Sequence, residues 1–355
     1  MAASVITRGG TVGEVIGRRR RHRPQTRPER PKVSAGSAKV RLPPRRPLGM
    51  SVASIMIAVD TFTPPRIRMP AAARPQTRTA LGGRRPTLRV GSRLGKYRLD
   101  KRIGIGGFAH VYAATDTLLG IKAALKIPID GHVSKELIDE FRREAKMTMR
   151  LDHPNVLPIR DASFIDGYFV IVTPLAEETL DDRLKRRMSF ENAHYILTQL
   201  IDATAAAHEH GIIHCDIKPE NVMLFEELHA RLGDFGIAKA ARVTINAGGT
   251  GTLGYMAPEQ AMGKPSTRSD VFSIGLTAYR TLSGVWPEFP YRHPLPGAAA
   301  MRRKCHPDLI DVIHKCIELE PRRRFRDAGK LSEAWEAVRL KAVRFSRRNR
   351  KRAAR

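Results

Sequence analysis

Residues His214–Asn221 read HCDIKPEN, a stretch dense in side chains that can do chemistry. A folded loop can bring Asp216, Lys218 two residues on and Asn221 five residues on to one point. The carboxylate can accept a hydroxyl proton, the ammonium can neutralise phosphate charge, and the amide oxygen can ligate a hard cation. Asp234, thirteen residues after Asn221 in DFG, supplies a second oxygen ligand. Upstream, GIGGFAHV (Gly104–Val111) can bring backbone N–H groups close to phosphates. Alone it reads first as a plain hairpin turn, since glycine-rich turns are common in hairpins, and Ala109 stands where a G-x-G-x-x-G pattern has its third glycine. A strand follows it rather than a helix, which argues for a flap over a nucleotide and against a dinucleotide site. Lys126 sits among Ala123, Ala124, Leu125 and Ile127. A buried ammonium needs anions there, and Glu144 or phosphate oxygens can serve.

The elements that must position these residues follow from periodicity. YRLDKRI, HVYAATD and KAALKIP alternate as strands. SKELIDEFRREAKMTMRL has apolar Leu137, Ile138, Phe141, Ala145 and Met149 at helical spacing, with Ser134 as N-cap. ASFIDGYFVIVTPL reads as two strands around an Asp166-Gly167 turn. Beyond Leu180 the pattern is mostly helical, so a small sheet-rich lobe should pack on a larger helical one.

The 355 residues carry a formal charge of +28, unevenly spread. Residues 1–92 hold 20 Lys/Arg against 3 Asp/Glu, and residues 339–355 hold 9 Lys/Arg and no acid, which leaves +2 for residues 93–338. The expectation is a near-neutral domain between an Arg/Pro-rich disordered tail at 1–92 and a basic C-terminal tail at 339–355. The tails can contact nucleic acid or an acidic surface, or simply be solvated. The acid-poor N-terminus also has the composition of a transit peptide. Cys215, Cys305 and Cys316 lack metal-ligand spacing and suggest free thiols in a reducing, cytoplasmic setting. No apolar run reaches the roughly 20 residues of a membrane helix. His208 and His210 read as surface residues rather than metal ligands, and Trp286 and Trp335 as core anchors.

Taken in order, the glycine loop, strand lysine, helix glutamate, HCDIKPEN, DFG and GTLGYMAPE resemble the protein-kinase catalytic domain over about residues 97–337. The resemblance implies an α+β bilobal fold, with a β-rich N-lobe at about 97–175 and a helical C-lobe at about 176–338. It implies ATP and Mg²⁺ as cofactors and a protein as substrate. By the same resemblance Gly104 and Gly106 cover the phosphates, while Val111, Ala124 and Met223 sandwich adenine. Backbone at Thr173 and Leu175 holds its edge. Lys126, set by Glu144, holds the α/β-phosphates, and Asp216 orients the hydroxyl and takes its proton. Lys218 steadies the γ-phosphate, and Asn221 and Asp234 hold Mg²⁺. Glu259 resembles a buried carboxylate paired to a late arginine, here Arg324, and Asp270 the brace of the catalytic loop. Lys218 together with Thr252 resembles serine/threonine kinases, and GIIHCDIKPENVML the bacterial branch. Two further departures are the hinge VTPL, which has no glutamate, and Cys215, which replaces the arginine that reads activation-loop phosphate in many kinases. The alternative is a pseudokinase scaffold that binds a partner without transfer.

Overall fold

The computed structural model describes residues 88–105, 109–129, 135–235, 253–288, 291 and 294–353. The expectations for residues 1–87, Gly106, Ser134 and the segment from Gly236 to Thr252 fall outside them.

Six strands form one antiparallel sheet in the order β1-β2-β3-β4-β6-β5: β1 (Arg93–Leu94), β2 (Tyr97–Ile105), β3 (Ala109–Asp116), β4 (Lys122–Pro128), β5 (Asp161–Ile165) and β6 (Tyr168–Pro174). Alternation along β4 sends Leu125 and Ile127 into a core with Leu99, Tyr112, Ala114, Val170 and Val172. The other face of the sheet receives α1 (Lys135–Thr148) through Phe141 and Ala145, which meet Ala109, Phe169 and Ile171. Met149, expected on that apolar stripe, lies past the helix end and is exposed. Asp166 and Gly167, at φ 48° and 82°, make the two-residue turn between β5 and β6. The Asp166 carboxylate accepts the Gly95 N–H at 2.7 Å.

The second lobe is built on helices. α2 (Leu180–Leu184) starts at Thr179, whose hydroxyl and the Asp182 carboxylate form a capping box. α3 (Phe190–Glu209) runs 20 residues, and a small sheet of β7 (Glu178–Thr179), β8 (Val222–Leu224) and β9 (Ala230–Leu232) lies beside it. α4 (Pro258–Ala261) leads to α5 (Thr267–Ser283), every residue of which from Ser269 to Tyr279 is buried. A helix apolar or small all round belongs at the centre of a lobe. Gly275 permits that position, because a Cβ there would lie 2.6 Å from the Cys316 side chain. α6 (Ala298–Lys304), α7 (Pro307–Cys316) and α8 (Ala328–Ala353) complete the lobe.

Two expectations change. The boundary placed after residue 338 falls inside α8, and Ala342 is fully buried, because the buried stripe of Leu331, Trp335 and Val338 continues at helical spacing. Trp335 anchors the core and donates its indole N–H to Thr198 Oγ1 at 2.9 Å. Trp286 does not: it is 38% exposed and stacks on Tyr255 with ring centroids 5.7 Å apart. Among the described residues no helix is long and apolar enough to cross a membrane.

At the N-terminal side, Leu88 packs on the sheet core, Gly91 donates to the Leu99 carbonyl, and Leu99 donates to that of Ser92. A chain beginning at Arg93 should therefore melt a few degrees below one beginning at Leu88. The loss is about 1–2 kcal/mol for one partly buried leucine and two ladder bonds. Equal melting curves would show that residues 88–92 contribute nothing.

Candidate active site

Strand register assembles the upper wall of the cleft. Gly104 pairs with Val111, Val111 with Lys126, and Lys126 with Ile171, while Ala124 pairs with Thr173. A Cβ on Gly104 would meet Val111 at 3.5 Å, an ordinary contact, so strand packing alone does not demand glycine there. Lys126 points from β4 to the face opposite Leu125 and lies 2.9 Å from Glu144 Oε1 on α1 and 2.7 Å from Asp234 Oδ1. Burial alone would push its ammonium down. The Asp234 and Glu144 carboxylates outweigh that and hold it above the ordinary lysine range. Lys126 therefore joins three elements with its charge intact.

The lower wall is the loop after α3. Asp216 is 5% exposed, and its Oδ1 is 3.1 Å from Lys218 Nζ. The Asn221 amide nitrogen donates to the Asp216 carbonyl at 2.7 Å and to its Oδ2 at 3.0 Å. The Asp216 N–H points at His214 Nδ1, 3.2 Å away, which assigns the proton to Nε2, donating to the Gly233 carbonyl at 2.9 Å. Burial lowers the pKa of His214, in keeping with a neutral ring, and that ring packs 4.6 Å from the ring of Phe235. Met223 lies on β8, its methyl 3.6 Å from where a Gly233 side chain would begin. Leu175 follows the end of β6 directly, so the hinge chain leaves the sheet at the cleft.

Two buried carboxylates, Asp270 and Glu259, brace this part of the lobe. Asp270, fully buried in the first turn of α5, accepts the N–H groups of His214 at 2.7 Å and Cys215 at 2.8 Å. Its Oδ2 also lies 3.0 Å from His208 Nε2. Cys215 holds a left-handed φ of 64°, and the Gln260 amide donates to its carbonyl at 2.6 Å. Burial, then the carboxylates of Asp270 and Asp216, push its thiol up to about 12. The thiolate is thus disfavoured, which suits a packing role rather than a redox one. Glu259 meets Arg324 through two bonds of 2.7 and 3.1 Å and accepts the Ser269 hydroxyl at 2.7 Å.

His208 corrects the sequence reading. Its side chain is 4% exposed, and its Nδ1 accepts the Ala328 N–H at the start of α8. The sequence also gave no signal for Gln260, or for Arg280, which joins the Tyr255 hydroxyl (2.7 Å) to Asp181 (2.8 Å). Gln260 touches the loop at the Cys215 carbonyl, and Arg280 ties Tyr255 to α2; both contacts are tertiary. Gly106 lies outside the described residues.

A lysine bridged to a helix glutamate above, and a braced aspartate–lysine–asparagine loop below, define a two-lobed phosphotransferase cleft. The chain belongs to the protein kinase domain family, whose profile matches residues 97–335. It is 34% identical to the serine/threonine-protein kinase PknA of Mycobacterium tuberculosis, over 71% of this chain and 63% of that protein. It is 32% identical to PknH of Mycobacterium bovis, over 69% of this chain and 44% of the relative. The chain thus spans about two fifths to three fifths of the length of these relatives. The kinase domain of Mycobacterium tuberculosis PknI superposes with TM-score 0.56 at 23% identity, covering 71% of this chain and 99% of that one. A structure described as the apo form of PpkA-294 gives TM-score 0.60 at 20% identity, over 70% and 99% of the two chains. Both carry the same bilobal fold.

Replacing Arg324 by Met leaves the Glu259 carboxylate buried with only the Ser269 hydroxyl. It should cost about 3–5 kcal/mol in urea unfolding. Arg324→Met with Glu259→Leu should recover part of that loss; a single variant as stable as the parent contradicts the brace.

Proposed function

We propose that this protein is an active serine/threonine protein kinase, transferring the γ-phosphate of ATP to hydroxyls of a protein substrate. The observation that carries the reading is Lys126 bonded at once to Glu144 and Asp234, above an Asp216 held by Lys218 and Asn221. A scaffold without transfer has no need to keep all six polar side chains in one cleft.

The residues fit a magnesium ion. Asn221 spends its amide nitrogen on Asp216, so its carbonyl oxygen is the donor it can offer, and Asp234 adds a carboxylate. Mg²⁺ prefers such oxygen ligands, few in number, completed by phosphate and water. When bound it supplies neutralisation of phosphate charge. Lys126 binds the α/β-phosphates and Lys218 steadies the γ-phosphate. Asp216 orients the acceptor hydroxyl and takes its proton. The Thr173 carbonyl and Leu175 N–H hold the adenine edge, and Pro174 between them lacks an N–H that this pattern does not use. Val111, Ala124 and Met223 supply the apolar faces, and Gly104 with Gly106 the phosphate cover. The three buried free thiols support a reducing, cytoplasmic setting.

Lys126→Met keeps an apolar stem and removes the clamp. It should lower ATP-dependent phosphorylation of a basic test protein by about 10²–10³ at an unchanged melting temperature. Asp216→Asn serves as the inactive control; near-normal turnover by a folded Lys126→Met protein would overturn the assignment.

Cys215 supplies no cation beside Asp216 to read an activation-loop phosphate. The double variant Thr244→Ala/Thr250→Ala should keep most of the initial rate on phosphatase-treated protein, while Thr252→Ala loses it. A loss beyond about tenfold in the double variant would establish a phosphate switch.

A further inference from the structure

At one end of the helical lobe the charge is of a single sign. Glu336 is the last acidic residue of the chain. Past it, α8 presents Arg344, Arg347, Arg348, Arg350, Lys351 and Arg352, all exposed. α6 ends in Arg302, Arg303 and Lys304, also exposed. The two groups are tied into one surface: the Asn349 side chain donates to the Arg303 carbonyl at 2.9 Å, and the Phe345 ring stands edge-on to His306 at 5.5 Å. Among the described residues none of these nine cations has an ion-pair partner. Their neighbours do: Arg339 pairs with Glu336 and Lys341 with Asp308. Like charges so gathered repel one another, and within a Debye length of about 8 Å salt screens them only in part. Nothing in the transfer reaction uses them.

We infer that this face of α6 and α8 docks on an anionic phospholipid surface. Helical spacing places Leu340, 57% exposed, on the same side of α8 as Arg344, Arg347, Arg348 and Lys351. An apolar side chain beside a row of arginines suits the headgroup boundary of a bilayer, where cations meet lipid phosphate and the leucine leaves water. Nucleic acid fits less well. Insertion into a groove needs a projecting helix, whereas Ala342, Phe345 and Asn349 keep α8 flat against the lobe. A single strand needs exposed aromatic platforms, and Phe345 is half-buried against His306.

The test is sedimentation of the full chain with vesicles of phosphatidylcholine containing about 30 mol % phosphatidylserine, against phosphatidylcholine alone. Binding is expected only to the anionic vesicles, falling steeply between about 0.05 and about 0.5 M salt. Arg344→Glu/Arg348→Glu/Lys351→Glu should lower the partition coefficient at least about a hundredfold, at unchanged phosphorylation of a soluble protein. Arg302→Glu/Arg303→Glu/Lys304→Glu, on a separate helix, should do the same and guards against misfolding of the first variant. Partition unchanged in both variants overturns the inference. So does tighter binding of duplex DNA or single-stranded RNA than of the anionic vesicles at equal salt.

Discussion

One buried carboxylate governs the geometry of the cleft. Asp270 is fully buried at the start of α5, where oriented helix N–H groups favour negative charge. Its two oxygens take the consecutive N–H groups of His214 and Cys215, and one of them also meets His208. Cys215 is thereby kept in a left-handed conformation that a residue with a side chain adopts only under constraint. That turn aims Asp216 into the cleft, and Gln260 fixes it from the other side through the Cys215 carbonyl. Because α5 is buried almost throughout, the reference point of the loop is a helix packed on all sides by the lobe.

The second constraint crosses the cleft. Lys126 comes from β4, Glu144 from α1 and Asp234 from the segment after β9. An ammonium this enclosed is tolerable only while both carboxylates are in place. Displacement of α1 or of the Asp234 segment would therefore leave an uncompensated charge, which couples the placement of two separate parts of the fold to one side chain. Asp234 itself holds a φ of 58°, so its reach toward Lys126 is also imposed by the surroundings. His214 links the two constraints, with one ring nitrogen facing the Asp216 N–H and the other the Gly233 carbonyl beside Asp234.

The far end of the helical lobe follows another logic. Packing there continues through Trp335 and Ala342 to Phe345, so the helix belongs to the domain although its composition is that of a tail. Its inner stripe stabilises the fold, and its outer stripe is left with charge that the fold does not use.

Much of this was legible from residue order. Lys126 among apolar neighbours, the Asp216–Lys218–Asn221 spacing, Glu144 on a helical stripe and the Asp166-Gly167 turn are local patterns, and local patterns survive in sequence because they depend on period and backbone preference. The pairings of Glu259 with Arg324 and of Asp270 with the catalytic loop were reached through family resemblance, since no local rule joins residues 65 or 55 positions apart. The remainder was decided by tertiary structure. His208 has the polar, helix-end setting of a surface residue, yet α8 closes over it and makes it a link between Asp270 and Ala328. Trp286 has the side chain of a core anchor, yet it lies outside on Tyr255, over Gly254, where any Cβ would collide with its ring. Residues 339–353 have the charge of a solvated tail, but an apolar stripe of only a few residues, invisible in the net charge, holds them in the last helix. Sequence determined which chemistry the chain carries, because chemistry resides in residue types and short spacings. Burial and partner choice belonged to the tertiary structure, because both depend on which distant surface arrives to cover a side chain.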